Sequence, residues 1–354
     1  GDWFRWRETK LPWSQWTERA ESLRGQVYQF TGVVRRITVE HPSDEQAARF
    51  DLEQYYRCEI DTNGGGPAVV YALKAPAEWK LDQPLEVRGG ARAIFVKLAG
   101  AAPDAIEPVF VAERIAWYPD TVLGHLGMDV GLFAGVADRT PLSIDDTECF
   151  YELLAAVERA NTRELMNLTR EETVEHPRYP VAPLFNEPEK HHGELLALSG
   201  TARRIVEIQV EPGDFTKALG IERYYEIDFF APQSQGNPIT YCVRELPRGV
   251  ERGENLSVDL RIAGFFFKVW SYRLGEKDGK AQFQLAPMIV GREPTILVVP
   301  PADTGFSTIV MVLLVVGMIG VAAGVWWLNR GDRQARRKEA TQREPEVRFD
   351  NVEQ

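Results

Sequence analysis

The heptapeptide TGVVRRI at residues 31–37 returns as SGTARRI at 199–205, 168 residues later counted from Gly32 to Gly200. The surroundings keep register. Gly25 and Gly193 each stand seven residues ahead of those glycines, and QVYQF and ELLAL fill the intervals with alternating apolar residues. A basic pair recurs by chance; a basic pair inside matched flanks marks a duplicated unit, so the fold must accommodate two copies of one supersecondary design.

Each copy continues in the same way. An acidic, turn-prone insert (40–54 and 211–223) leads into an aromatic strand, YYRCEID at 55–61 and YYEIDFF at 224–230. The spacing after Tyr-Tyr differs by two residues. A slip of two preserves the face to which a strand side chain points, so Tyr56, Cys58 and Ile60 take the parts of Tyr225, Ile227 and Phe229. A third strand follows at 67–73 and 238–243, and a longer fourth at 84–98 and 255–270. The fourth strands share a Phe-apolar-Lys triplet, Phe95–Val96–Lys97 and Phe266–Phe267–Lys268, and fifth strands at 107–117 and 286–297 close the units. Gly32 and Gly200 fall within the first strands, where glycine marks a bulge or sharp bend; Gly89, Gly90 and Gly264 can do the same in the fourth.

The pattern predicts a mainly β chain with two tandem five-stranded small barrels, residues 25–118 and 193–299. Strand count and the long first strand resemble the OB-fold, a five-stranded Greek-key barrel. An SH3-like barrel or a small sandwich fits the spacing as well.

Residues 307–328, STIVMVLLVVGMIGVAAGVWWL, form a run of 22 residues without a charge. At 1.5 Å per helical residue such a run spans the ~30 Å hydrocarbon core of a bilayer, which favours a transmembrane helix over a buried core helix. Asp303 precedes it. Arg330, Arg333, Arg336, Arg337 and Lys338 follow it, so the positive-inside rule assigns 329–354 to the cytoplasm and 1–306 to the outside of a cell membrane crossed once. Trp326 and Trp327 suit the cytoplasmic headgroups. Gly320 and Gly324 make a GxxxG step that lets two such helices approach closely, so a homodimer through this helix joins the bilayer among the candidate partners. The chain begins with Gly1, which leads us to expect that something upstream has been removed.

Between the barrels, 119–190 reads as a linker. Its first part is glycine-rich and apolar. SIDD at 143–146 is a capping box with Ser143 as N-cap, opening a helix expected over about 145–168, in which Phe150, Leu153, Leu154, Val157, Ala160 and Asn161 share a face. Four prolines in 176–190 make an extended connector. Residues 1–24 carry Trp3, Trp6, Trp13 and Trp16, expected to pack on the first barrel rather than lie at a membrane surface.

The net charge of −11 disfavours nucleic acid or anionic lipid as a partner of the whole molecule. Within that limit Arg36 and Arg204 remain candidate binding residues, because barrels of this kind bind strands along one face. Neighbouring strand residues point to opposite faces, however, so an arginine pair is no two-pronged clamp without a bulge. Phe266, Lys268 and Trp270 are the other candidates, as an outward ridge on the fourth strand, which contact with the partner barrel or the membrane explains equally well. His191 and His192, flanked by Glu189 and Glu194, lack metal-ligand spacing and read as a solvated loop edge. Cys58, Cys149 and Cys242 cannot make a disulfide framework, and Cys58 and Cys242 read as small core residues. No nucleotide, hydrolase or kinase signature is present, so neither cofactor nor catalytic residue is expected.

The layout is similar to that of uncharacterised single-pass envelope proteins of bacteria such as planctomycetes. Tandem barrels outside a membrane anchor, with no catalytic signature, lead us to expect a non-catalytic scaffold or binding module that holds a protein or glycan partner near the membrane. Binding of single-stranded nucleic acid or an anionic polymer outside the membrane is the second reading, and an enzyme the third.

Overall fold

The computed structural model describes residues 7–8, 16, 18–100, 106–175, 181–277, 280–297 and 313–327. The chain divides into a unit of residues 1–297 and a second of 298–354. Trp3, Trp6, Trp13, the tail 329–354 and both ends of the 307–328 run lie outside the described residues.

The first copy comprises β1 (Arg7–Glu8), β2 (Val27–Glu40), β3 (Tyr55–Thr62), β4 (Pro67–Lys74), β5 (Pro84–Ala99) and β6 (Glu107–Trp117). β2, β3 and β4 pair antiparallel in sequence, β4 pairs parallel with β6, and β6 pairs antiparallel with β5. Pairing of β5 back onto β2 closes a five-stranded barrel of OB-like Greek-key order. The second copy repeats that order through β7 (Leu195–Gln209), β8 (Arg223–Phe230), β9 (Ile239–Val243), β10 (Val258–Lys277) and β11 (Lys280–Gly291), with β12 (Thr295–Ile296) at the edge of β10. There too the first strand pairs with the fourth and the fourth with the fifth.

Register shows that the two copies correspond residue by residue. Ile37 faces Cys58 and Val39 faces Tyr56, as Ile205 faces Ile227 and Glu207 faces Tyr225. Gly25 and Gly193 both have positive φ (79° and 74°), and each donates its N–H to the carbonyl of the equivalent phenylalanine, Phe95 or Phe266, at 2.9 and 2.8 Å. The Phe-apolar-Lys triplets coincide as well, with a register shift between Phe95 and Lys97 and another between Phe266 and Lys268.

The first-strand glycines have a different task from the expected bend. The bulge lies three residues on, between Val34 and Arg36 and between Ala202 and Arg204, which makes Arg35 and Arg203 the inserted residues. Gly32 and Gly200 are where the neighbouring strand comes too close for a side chain. A Cβ would sit 2.1 Å from the Asp61 carbonyl oxygen in one case and 2.2 Å from that of Phe230 in the other.

The barrel interiors are apolar. Val34, Ile37, Cys58, Val70, Phe95 and Phe110 fill the first, closed at one end by Trp16, whose ring lies 4.8 Å from Tyr28 and 5.1 Å from Phe95. Ile205, Ile227, Phe229, Tyr241, Phe266 and Ile289 fill the second. The linker holds short helices at Val122–His125 and Val130–Gly135, then two longer ones, Thr147–Glu158 and Thr162–Glu175, where a single helix was expected. The break has a visible cause: Asn161 turns its side chain back to accept the N–H groups of Arg163 and Glu164, capping a new helix instead of continuing the old face. The SIDD turn forms half of its box. Asp146 accepts from the Ser143 N–H at 2.9 Å, but the helix begins after it, at Thr147.

Residues 313–327 are helical, and every one of them is exposed. Among the described residues no helix is long and apolar enough to cross a membrane. Gly320 and Gly324 lie on this helix, with nothing within 4 Å of a Cβ built on either.

Candidate functional site

The bulge supplies what the arginine pairs lacked. With Arg35 inserted, Arg35 and Arg36 are both exposed on the outside of the first barrel, and Arg203 and Arg204 occupy the same places on the second. Yet these faces are balanced by carboxylates. Arg35 donates to Asp61 at 2.7 Å and reaches Glu86 at 3.5 Å; Arg36 lies opposite Glu59, which itself pairs with Arg57. On the second barrel Arg204 reaches Asp228 at 3.5 Å and Arg252 reaches Glu207 at 2.8 Å. An open groove of about 720 Å³ beside the latter pair is lined by Glu207, Arg223, Tyr225, Arg244, Glu245 and Arg252, again of both signs.

The expected ridge at 265–270 is not a surface. Phe266 is 0 % exposed and points into the barrel, while its outward neighbours Phe265 and Phe267 are buried under the linker. The alternation is as the strand requires; what sequence alone did not reveal is that a helix covers the outer face. Phe150 of Thr147–Glu158 meets Phe267 at 5.5 Å and Tyr224 at 5.3 Å between ring centroids. Lys268 is likewise 0 % exposed, with its ammonium 2.9 Å from Asp146 and 3.1 Å from the Thr140 hydroxyl. Burial removes Phe266 and Lys268 from any ligand arriving from solvent. Trp270 is half-buried, stacks on Tyr272 at 5.1 Å and donates its indole N–H to Thr240.

His192 also departs from the solvated edge expected of it. Its Nε2 is 3.0 Å from Asp138, both side chains are 10 % exposed, and the ring stacks between Phe133 and Phe266. Asp138 spends its other oxygen on the Val269 N–H, so this pair fastens the linker to β10. Among the described residues no group of three or more potential ligands is placed to hold a metal. Burial pushes the Cys58 thiol up to about 12 and those of Cys149 and Cys242 well above the ordinary range, so all three stay protonated at neutral pH.

A second cluster went unread in the sequence. Where the linker meets the first barrel the contact is polar: Arg114 pairs with Glu148 and lies 3.7 Å from Asp129, Arg92 lies 3.9 Å from Glu152, and Asp129 accepts the Trp117 N–H at 2.8 Å. Desolvation, with Asp129 next in weight, pushes the Glu152 carboxyl up to about 7 against the pull of Arg92. Desolvation raises Asp129 too, against the N–H groups of Trp117 and Gly131. A cleft of about 580 Å³ adjoins the cluster, lined by Lys74, Arg114, Ile115, Leu132, Glu148 and Cys149. Glu148 and Glu152, four apart on the flank of an apolar helix face, were the available signal. The linker thus presents an apolar face to the second barrel and a charged one to the first.

No protein-family model and no curated protein matches the chain. Among solved structures, a deletion variant of the single-stranded DNA binding protein from Thermus aquaticus aligns over 78 % of this chain and 97 % of its own, at 8 % identity and a TM-score of 0.19.

Proposed function

We propose that residues 1–297 are a non-catalytic scaffold, two OB-like barrels locked through the linker, which holds a protein or glycan partner at the surface of a bacterial cell membrane. The observation that carries this reading is the pairing of one outward arginine on each barrel, Arg35 with Asp61 and Glu86 and Arg204 with Asp228. A strand-binding barrel needs cations free to neutralise phosphates, and in each arginine pair one member is already held by a carboxylate. The 22 uncharged residues of 307–328 and the basic cluster after them support tethering with 1–306 outside the membrane and the tail in the cytoplasm.

Outward display of both arginines by each bulge favours the second reading, binding of a single-stranded polyanion. A salt titration of the full chain with a fluorescent oligonucleotide separates the two. The scaffold gives no binding at micromolar protein. Micromolar affinity that falls steeply with salt and is lost in Arg36→Ala or Arg204→Ala replaces the scaffold with the second reading.

A further inference from the structure

The internal duplication says what one exposed face is for. On the second barrel Leu195, Phe265, Val290 and Cys242 form a lateral row across β7, β10, β11 and β9, in the registers Leu195–Phe265, Phe265–Val290 and Val290–Cys242. Two linker helices cover that row, Thr147–Glu158 on β11 and Thr162–Glu175 on β10 and β7, leaving Phe265 1 % exposed and Val290 and Cys242 0 %. Register assigns the equivalent row of the first barrel to Val27, Ile94, Val111 and Tyr71, paired Val27–Ile94, Ile94–Val111 and Val111–Tyr71 across β2, β5, β6 and β4. Here Ile94 is 43 % exposed and Val111 46 %. The strands, the outward direction and the apolar character are the same; the cover differs.

Charge tells the same story. Lys268 follows the second row and is neutralised by Asp146, the residue immediately before the covering helix. Its counterpart Lys97, placed by the matching register shift after Phe95, is exposed and has no ion-pair partner among the described residues. The first barrel therefore carries an apolar row and a cation without an ion pair among the described residues, in the geometry that, one repeat later, receives the linker helices with a carboxylate at the head of the first.

We propose that Ile94, Val111 and Tyr71, with Lys97 at their end, form a docking site for an amphipathic helix of a partner protein that bears an acidic residue at its N-terminal cap. The site gives the scaffold reading its partner class and rests on that reading. The helix sets its apolar face across β5 and β6, and its leading carboxylate meets the Lys97 ammonium as Asp146 meets Lys268.

The probe is a fluorescent peptide of residues 143–159, cross-linked on its exposed side because so short a helix is marginal alone, titrated into the full chain. Saturable binding is expected, weakened at least tenfold by Ile94→Asp or Val111→Asp. Lys97→Glu should weaken it severalfold, with recovery when the peptide carries Asp146→Lys. All three barrel positions are exposed or surface-facing, and unchanged melting of the variants separates lost docking from lost folding. Absence of saturable binding, or binding indifferent to Ile94→Asp, overturns the proposal. So does binding seen only after residues 1–15 are removed, which would make the chain's own start the occupant, or an Ile94→Asp variant that dissolves a dimer in light scattering, which would make it a second copy. A silent peptide with a flat oligonucleotide titration ends the docking proposal alone; a steep salt slope ends the scaffold reading whatever the peptide does.

Discussion

The Lys268 ammonium lies 2.9 Å from the Asp146 carboxylate, with the lysine side chain 0 % and the aspartate 2 % exposed, joining the linker to the fourth strand of the second barrel. Two charges so placed have surrendered their hydration, and each is held chiefly by the other, with Thr140 and Ser143 adding hydrogen bonds. Asp146→Asn or Lys268→Met alone should destabilise by about 3–5 kcal/mol, since the remaining charge stays buried without its partner. Replacing both by apolar residues of similar volume should recover most of that loss. A double-mutant cycle in denaturant measures the coupling, and additive single losses would contradict a closed pair.

Gly32 and Gly200 predict a matched pair of losses. A Cβ at either would press within 2.2 Å of a backbone carbonyl oxygen, of Asp61 or Phe230, and backbone yields less readily than a flexible side chain. Gly32→Val and Gly200→Val should each cost about 1–3 kcal/mol or more. Gly236, with no atom within 4 Å of its Cβ but φ at +84°, is the contrast: Gly236→Ala should lose only the milder cost of left-handed backbone, about 1 kcal/mol. Equal melting temperatures for wild type and Gly32→Val would remove the close-approach role.

Phe266 tests inside against outside. Its ring is enclosed by the second barrel, so Phe266→Ala should cost about 3–5 kcal/mol in stability. An exposed ridge residue would lose almost nothing. Chemical denaturation distinguishes the two outcomes directly.

The repeat made the strands legible because period-two alternation and a matched pair of phrases are both written locally. Cys58 and Tyr56 could be set against Ile227 and Tyr225 from spacing alone. The covered face of the second barrel could not be read in the same way. Phe265 and Phe267 look outward in any strand, and only tertiary packing decides whether the Thr147–Glu158 helix or solvent meets them. For the same reason Lys268 passed for a surface cation although its partner, Asp146, stands 122 residues earlier. The split of the linker helix was readable in principle, since Asn161 is a strong capping residue, but its place on the apolar face concealed it.

Glu152 makes stability depend on pH. Its carboxyl ordinarily titrates near 4.5 and is pushed up to about 7 in the folded chain, so the folded state binds the proton more tightly than the unfolded one. Its contribution is therefore full below about pH 4.5 and is lost as pH rises through about 7. Above that range the charged form must be held at a desolvated site. Glu152→Gln keeps the shape and removes the titration. The variant should gain on the order of 1–3 kcal/mol over wild type at pH 8, with the difference shrinking toward pH 5. A difference that stays constant across this range would place the effect elsewhere.

Topology can be tested with the chain's own chemistry. The native thiols are buried and held protonated, so a membrane-impermeant maleimide should leave Cys58, Cys149 and Cys242 of the folded protein unmodified. That quiet background allows Asp303→Cys and Ala340→Cys to report on either side of the 307–328 run. Asp303 precedes the uncharged stretch and Ala340 follows the cluster from Arg330 to Lys338. The positive-inside rule then requires the label at 303 in intact cells and at 340 only after the membrane is opened. The reverse pattern would carry the barrels into the cytoplasm. Labelling at both positions in intact cells would mean that the run does not span the bilayer.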